Sequence, residues 1–303
     1  MWQSFVRNWL IGKLQQGVGE QLRGAAARSA GNAPGEQGQQ TSPAIGHPVP
    51  TQPIACHVGV VCGTRAEAAG LLARMDGVVE TQGDGFSAHE GSLAGRRVVT
   101  IVTGEGAAAT RRGTLALGAG HRPQWIVAAG FATALVPGLR VGDIIMADRL
   151  SHENGSEKLG GANELAVDFQ IDAAALTASP HLRVGRLLTV DRLPTDSRTK
   201  QILAQRYQAV GADRQSAAVA EVCRLQRLRF LAISAIREPC ESLTAEVDNL
   251  SRQRTWPGRF GAVAAAMVRR PSSLPEMWQR TEDALVAGER LGQFLAGVIR
   301  QLD

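Results

Sequence analysis

The sequence predicts an α/β domain, a largely parallel β-sheet covered by helices on both faces and made mixed by one hairpin. Three observations predict it. From His57 to Ile236, short apolar runs alternate with stretches of helical spacing. Phe86–Glu90 and Arg97–Val102 flank Ala94-Gly95, as the two arms of a β-hairpin would. Gly is abundant at 34 residues while aromatics make up 4% of the chain, a balance that suits helices lying close on a sheet. A single domain is expected over residues 56–303.

Ahead of that domain, Trp2, Phe5, Trp9, Leu10, Leu14, Val18 and Leu22 recur at helical steps, so residues 1–30 read as an amphipathic helical arm. Arg7, Lys13 and Arg23 among them leave two uses open: covering the domain or a second subunit, or lying on a membrane surface. Residues 31–55, rich in Gly, Pro, Gln and Ser, read as a flexible linker. His57–Gly63 is then the first strand and Arg65–Met75 the first helix. After the hairpin, Ala107–Leu117 is helical by composition. Gln124–Ala129 and Val141–Ala147 read as strands separated by a loop carrying Pro137-Gly138. Arg183–Val190 is a further strand, Ser197–Tyr207 and Gln215–Leu225 are helices, and Phe230–Ile236 is the last clear strand. The tail from Ser242 is helical, with Leu291, Phe294, Leu295 and Val298 on one stripe for packing against the sheet. The Pro-Gly and Pro-Ser breaks around residues 250–275 read as an insertion.

Composition excludes several classes. The net charge is +5, but the arginines are dispersed and not interleaved with aromatics, so no nucleic-acid partner is expected. No apolar run approaches the ~20 residues of a membrane span. Cys56, Cys62, Cys223 and Cys240 form no CxxC pair and have no His at zinc spacing, so no metal or other cofactor is assigned. Free thiols and the lack of a continuous signal-peptide core point to a reducing, cytoplasmic compartment.

Three polar features stand at strand ends, the usual place for ligands in open α/β sheets. Gly63-Thr64-Arg65-Ala66-Glu67 follows the first strand, with Glu67 in the first helical turn, where a carboxylate also suits the positive end of a helix. Thr103-Gly104-Glu105-Gly106 is a glycine loop that could approach an anion through its N–H groups. It could also open a methyltransferase-type nucleotide site, but the rest of a GxGxxG pattern is missing. Arg237-Glu238 follows the last strand.

Together with Gly59–Glu67, Ala129–Asp148, Gly185–Asp191, Asp213–Cys223 and Ser234–Glu238, these segments resemble the nucleoside phosphorylase superfamily, especially the 5'-methylthioadenosine/S-adenosylhomocysteine nucleosidases. The Leu139–Ile144 run, spaced after a Gly-x-Ala loop, is the most specific. The resemblance covers most of residues 57–240 and implies a three-layer αβα sandwich, a homodimer, and cleavage of the N-glycosidic bond of a purine nucleoside. Glu67 matches the family's water-activating glutamate, and Glu238 stands where the family has an aspartate that protonates the base. Gly104, Gly130, Phe131, Asp191, Leu193, Asp213, Arg214 and Gln215 are the substrate-binding positions that the resemblance implies.

Departures from the pattern shape the expectation. Arg214-Gln215 replaces a Met-Glu pair whose Glu accepts from the ribose hydroxyls, Leu193 stands near a purine-stacking Phe, and Phe131 occupies a small-residue position. With a family Ser absent from that loop, hydrolysis is favoured over phosphorolysis. The expected activity is hydrolysis of an adenine nucleoside such as methylthioadenosine or S-adenosylhomocysteine. The alternatives are a catalytically impaired nucleoside-binding homologue, or an enzyme for another purine-bearing substrate, lipid-linked or anionic, with Arg214 and the N-terminal arm as motive.

Overall fold

The computed structural model describes residues 55–153, 164–167, 181–241 and 274–302. The arm over residues 1–30, the linker over 31–55 up to its last residue, and the stretch from 250 to 273 lie outside the described residues. The described part lies within one compact unit, Pro50–Asp303.

The elements follow the alternation of the sequence. Strand β1 (Val58–Cys62) leads into helix α1 (Arg65–Leu72); β2 (Asp76–Gln82), β3 (Ser87–Leu93) and β4 (Arg96–Val102) form a meander; helix α2 (Ala107–His121) follows. Then come β5 (Trp125–Ala134), β6 (Ile144–His152), β7 (Glu164–Ala166) and β8 (Leu182–Thr189). Helix α3 (Ser197–Tyr207), β9 (Ala209–Asp213), helix α4 (Ser216–Gln226), β10 (Arg229–Glu238) and helix α5 (Leu274–Ile299) complete the order.

One mixed sheet holds all ten strands. β1 runs parallel to β4 and β5, and β5 runs parallel to β10, whereas β2–β3 and β3–β4 pair antiparallel. Pairings β5–β10, β10–β6, β6–β8, β8–β9 and β9–β5 close a ring at one end of the sheet. Strands buried on both faces read as continuous apolar runs, which is why Val58–Cys62 is VGVVC, buried throughout. One face carries α1 and α5, whose Leu71, Leu291 and Leu295 pack on Val60, Val127 and Ile233. The opposite face carries α2 and α4, whose Leu117, Val219 and Cys223 pack on Val61, Ile126 and Ala232. These are the three layers of an αβα sandwich.

Helices α1 and α5 touch backbone to backbone. A Cβ on Gly70 would fall 2.2 Å from the carbonyl oxygen of Gly288, and one on Gly292 would fall 2.1 Å from the carbonyl carbon of Gly70. The four-residue spacing of Gly288 and Gly292 puts both on the same helix face, so the long C-terminal helix lies directly against the helix that carries Glu67.

The boundaries differ from the sequence reading where periodicity was weak. β2 is exposed at every residue, so no alternation marks it, and the small residues of β9 (AVGAD) give no strand signal. β5 runs on through Gly130 to Ala134 because β10 pairs with it as far as Thr133. β6 starts at Ile144 rather than Val141, since Asp143 closes a turn by accepting from Arg140 N–H at 2.8 Å.

Candidate active site

A cavity of about 520 Å³ opens where strands end. The segments following β1, β4, β8 and β9 line it, together with the second half of β5, the end of β10 and Ala284 of α5.

Glu67 forms part of its floor. Thr64 is the N-cap of α1 and Glu67 its third residue, and the two make a capping box. Thr64 N–H donates to Glu67 Oε2 at 2.7 Å, and Glu67 N–H donates to Thr64 Oγ1 at 3.4 Å. The second carboxylate oxygen, Oε1, accepts from the backbone N–H of Phe131 at 3.0 Å. The residue is 8% exposed. Burial pushes its carboxyl above the ordinary glutamate value, while the N–H donors of Phe131 and Thr64 oppose the shift by favouring the charged form. Helix capping and service to a cavity thus fall on one side chain, and the Thr-x-x-Glu spacing of the capping box was there to read in the sequence.

Gln215 reaches the same floor from the N-terminus of α4. Its Nε2 donates to the carbonyl of Ala129 at 3.1 Å. Two glycines make the room: a Cβ on Gly63 would fall 2.5 Å from Gln215 Oε1, and one on Gly130 would fall 2.3 Å from Gln215 Nε2 and 3.0 Å from Glu67 Oε1. Gly63 and Gly130 therefore let the carboxylate and the amide lie together beneath the cavity.

Of the other expected residues, Phe131, Asp191, Leu193 and Arg214 line the cavity. Leu193 also packs beside the small apolar cluster around Leu188 and Leu203. Arg214 pairs with Glu105 across the glycine loop at 3.2 Å. Gly104 is not among the lining residues, although Glu105 and Gly106 beside it are, and its φ of +79° sets the bend of that loop.

Two further expected residues stand outside the cavity lining. Asp213 is 1% exposed and does not line the cavity. Its Oδ1 accepts from Thr189 Oγ1 at 2.7 Å, and its Oδ2 accepts from Ser216 N–H at 3.0 Å and from the Ser216 hydroxyl. Burial raises its carboxyl, and these donors lower it. Asp213 thus holds the β9–α4 corner that presents Arg214 and Gln215.

Glu238 does not line the cavity either. Its Oε1 accepts at 2.9 Å from Nζ of Lys200, a lysine with no exposed surface, whose ammonium also donates to Pro239 O at 3.0 Å and Cys240 O at 3.4 Å. A buried ammonium needs a charged partner, and Glu238 serves as one. A register shift in β10 between Ile236 and Glu238 accompanies this, and Arg237 lines the cavity instead. Of the two expected acids, Glu67 thus lines the cavity, and Glu238 pairs with Lys200.

Arg192 and Thr133 line the cavity without having been singled out by sequence reasoning, and Arg237 lines it where the sequence marked the Arg237-Glu238 pair and took its glutamate as the site residue. Arg192 and Arg214 stand in a repeated Asp-Arg pair, Asp191-Arg192 and Asp213-Arg214, that could have drawn attention to both. Among the described residues, no three His, Cys, Asp or Glu side chains cluster as a metal site would, and no helix is long and apolar enough to cross a membrane.

Fold and site together define an α/β domain with a ligand cavity at its strand ends and a buried, backbone-held carboxylate in the cavity floor. The pattern of the phosphorylase superfamily matches residues 57–269, and the chain belongs to that superfamily. It is 26% identical over 194 residues to the 5'-methylthioadenosine/S-adenosylhomocysteine nucleosidase of Geobacillus kaustophilus, which spans 59% of this chain and 83% of that protein. It is 25% identical over 195 residues to the nucleosidase of the same name from Haemophilus influenzae, 60% of this chain and 85% of that one. Among solved structures, a mutant Helicobacter pylori nucleosidase with 5'-methylthioadenosine in its active site superposes with a TM-score of 0.64 at 15% identity, covering 82% of this chain and all of that one. The futalosine hydrolase of Helicobacter pylori superposes with a TM-score of 0.63 at 16% identity, covering 82% of this chain and 99% of that one. At these identities the structural likeness speaks for the fold.

Proposed function

We propose that this protein hydrolyses the N-glycosidic bond of a purine nucleoside, with an adenine nucleoside such as methylthioadenosine or S-adenosylhomocysteine as substrate. The observation that carries the reading is Glu67: a buried carboxylate, fixed by the N–H groups of Thr64 and Phe131 at the cavity floor. Fixed in this way, it acts as general base toward a water that attacks the sugar carbon as the bond to the base breaks. Beside it, Gln215 accepts from a ribose hydroxyl through Oε1, its Nε2 being held by Ala129. A neutral acceptor binds a hydroxyl less strongly than a carboxylate does. Leu193 and Phe131 supply apolar surface for the base.

Incubation with a panel of purine nucleosides, followed by chromatography for free base, tests the reading. Release by the wild type and loss in Glu67→Gln is the expected result; equal rates in the two proteins would remove the assignment.

A second reading, a nucleoside-binding homologue that has lost turnover, is favoured by one specific observation. The end of β10 turns Arg237 rather than a carboxylic acid into the cavity, and an arginine keeps its proton. Binding of purine nucleosides by calorimetry without any release of base would decide for it. A cytoplasmic homodimer is part of the proposal, to be checked by sedimentation. Membrane association through residues 1–30 is checked by liposome pelleting with and without that segment.

A further inference from the structure

Three arginines from three strand ends line the cavity: Arg192 after β8, exposed at its rim, Arg214 after β9, and Arg237, part-buried, in β10. Arg214 is engaged with Glu105. Arg192 and Arg237 have no carboxylate partner among the described residues, and Arg237 rests 6.0 Å from the centre of the Phe131 ring, on the residue whose N–H holds Glu67. The acids in the cavity are otherwise occupied. Both oxygens of Glu67 accept backbone N–H bonds, and Glu105 pairs with Arg214. Asp191, exposed and next in sequence to Arg192, offsets at most one of the two remaining cations.

Two like charges lining one cavity disfavour each other. An anion between them offsets that, and a guanidinium matches a carboxylate or phosphate through paired N–H donors. We propose that the nucleoside taken by this cavity carries an anionic group, a carboxylate or a phosphate, seated between Arg192 and Arg237. The inference rests on the nucleosidase reading and narrows it to the charged members of the substrate class. Inorganic phosphate, as a co-substrate, presents the same chemistry, so the test separates the two sources.

The test uses pairs that share base and sugar: adenosine 5'-monophosphate against adenosine, and S-adenosylhomocysteine against methylthioadenosine. The readout is the ratio of kcat/KM within each pair. The expected ratio favours the phosphate- or carboxylate-bearing member of at least one pair by about 10- to 100-fold. It falls with added salt, collapses toward one in the Arg192→Ala, Arg237→Ala double variant, and is partly kept by Arg237→Lys, which retains the charge but not the fork. A ratio near one in the wild type overturns the inference. So does consumption of inorganic phosphate with formation of ribose 1-phosphate derivatives from the neutral nucleosides, which would give the two cations to the co-substrate. If no nucleoside releases base, calorimetry on Glu67→Gln separates the failures. Equal binding of neutral and charged members sinks this inference alone, and absence of binding by any nucleoside sinks the nucleosidase reading beneath it.

Discussion

The backbone N–H of Phe131 donates to Oε1 of Glu67 across 3.0 Å, joining the middle of β5 to the first turn of α1. With Thr64 N–H on the other oxygen, both oxygens of Glu67 are held by peptide groups, and the side chain cannot swing out of the cavity floor without breaking a bond at each end. Phe131 therefore has two parts with separate work: its ring borders the cavity while its backbone aims the carboxylate.

Glu67→Gln is expected to lower kcat/KM by roughly 10²- to 10⁴-fold, the usual worth of a positioned general base. An amide also offers only one acceptor to two N–H donors, so stability falls by about 1–3 kcal/mol. Steady-state kinetics and urea unfolding measure the two effects. A variant that unfolds earlier yet keeps full turnover would show Glu67 to be a cap and nothing more.

The acid limb of the kcat/KM–pH profile belongs to Glu67 in this reading, and burial raises its carboxyl above 4.5. The base must be ionised to act, so activity is expected to fall with a midpoint above 4.5 as the pH drops. The stability sign is opposite. A proton held more tightly in the fold than in the unfolded chain stabilises the fold below the ordinary glutamate range, and this contribution is lost as pH rises through the raised value. The unfolding free energy of the wild type relative to Glu67→Gln should therefore decline between pH 4 and neutrality. A constant difference would mean that the carboxyl is not shifted.

Lys200 and Glu238 make a pair whose partners cannot be removed equally. Lys200→Ala takes the buried ammonium from the Glu238 carboxylate and from two carbonyls and is expected to cost about 3–5 kcal/mol by urea unfolding. Glu238→Gln keeps an acceptor for Lys200 and should alter kcat by less than about tenfold if the side chain stays out of the cavity. Loss of activity in Glu238→Gln at unchanged stability would return that residue to the role of acid.

Gly292→Ala places a methyl 2.1 Å from the Gly70 carbonyl carbon, where only backbone can give way. The expected cost is about 1–3 kcal/mol, with a fall in kcat because α1 carries Glu67. Gly297→Ala is the control, since nothing beyond its own stretch of helix lies within 4 Å of the added Cβ. Equal melting temperatures for the two variants would refute the close contact of α1 and α5.

How much of this was legible depends on the kind of signal. The α/β class and the order of buried strands were legible because strands such as Val58–Cys62 and Arg229–Glu238 are apolar along most of their length. Helix α3 runs over the Ser197–Tyr207 span expected of it, and the structure shows Asp196 capping its start by accepting from Thr199 N–H at 2.8 Å. The edge strand β2 was not, because an element that buries nothing leaves no hydrophobic pattern. Glu67 could be named from the sequence because it stands at a helix start just after a strand, whereas Gln215 and Phe131 were named only through the family resemblance.

What the sequence by itself determined is the chain's class, its layer order and the helix-start position of Glu67, since all three follow from local periodicity and capping. What only the tertiary structure decided is which charged groups face the cavity at the end of β10. Arg237 and Glu238 are neighbours in sequence, and either one could have lined the site. The choice was made by Lys200, 38 residues away and without exposed surface, whose buried ammonium draws the carboxylate to itself. Long-range pairing of buried charge leaves no mark in local spacing, so it emerges only when the chain has folded.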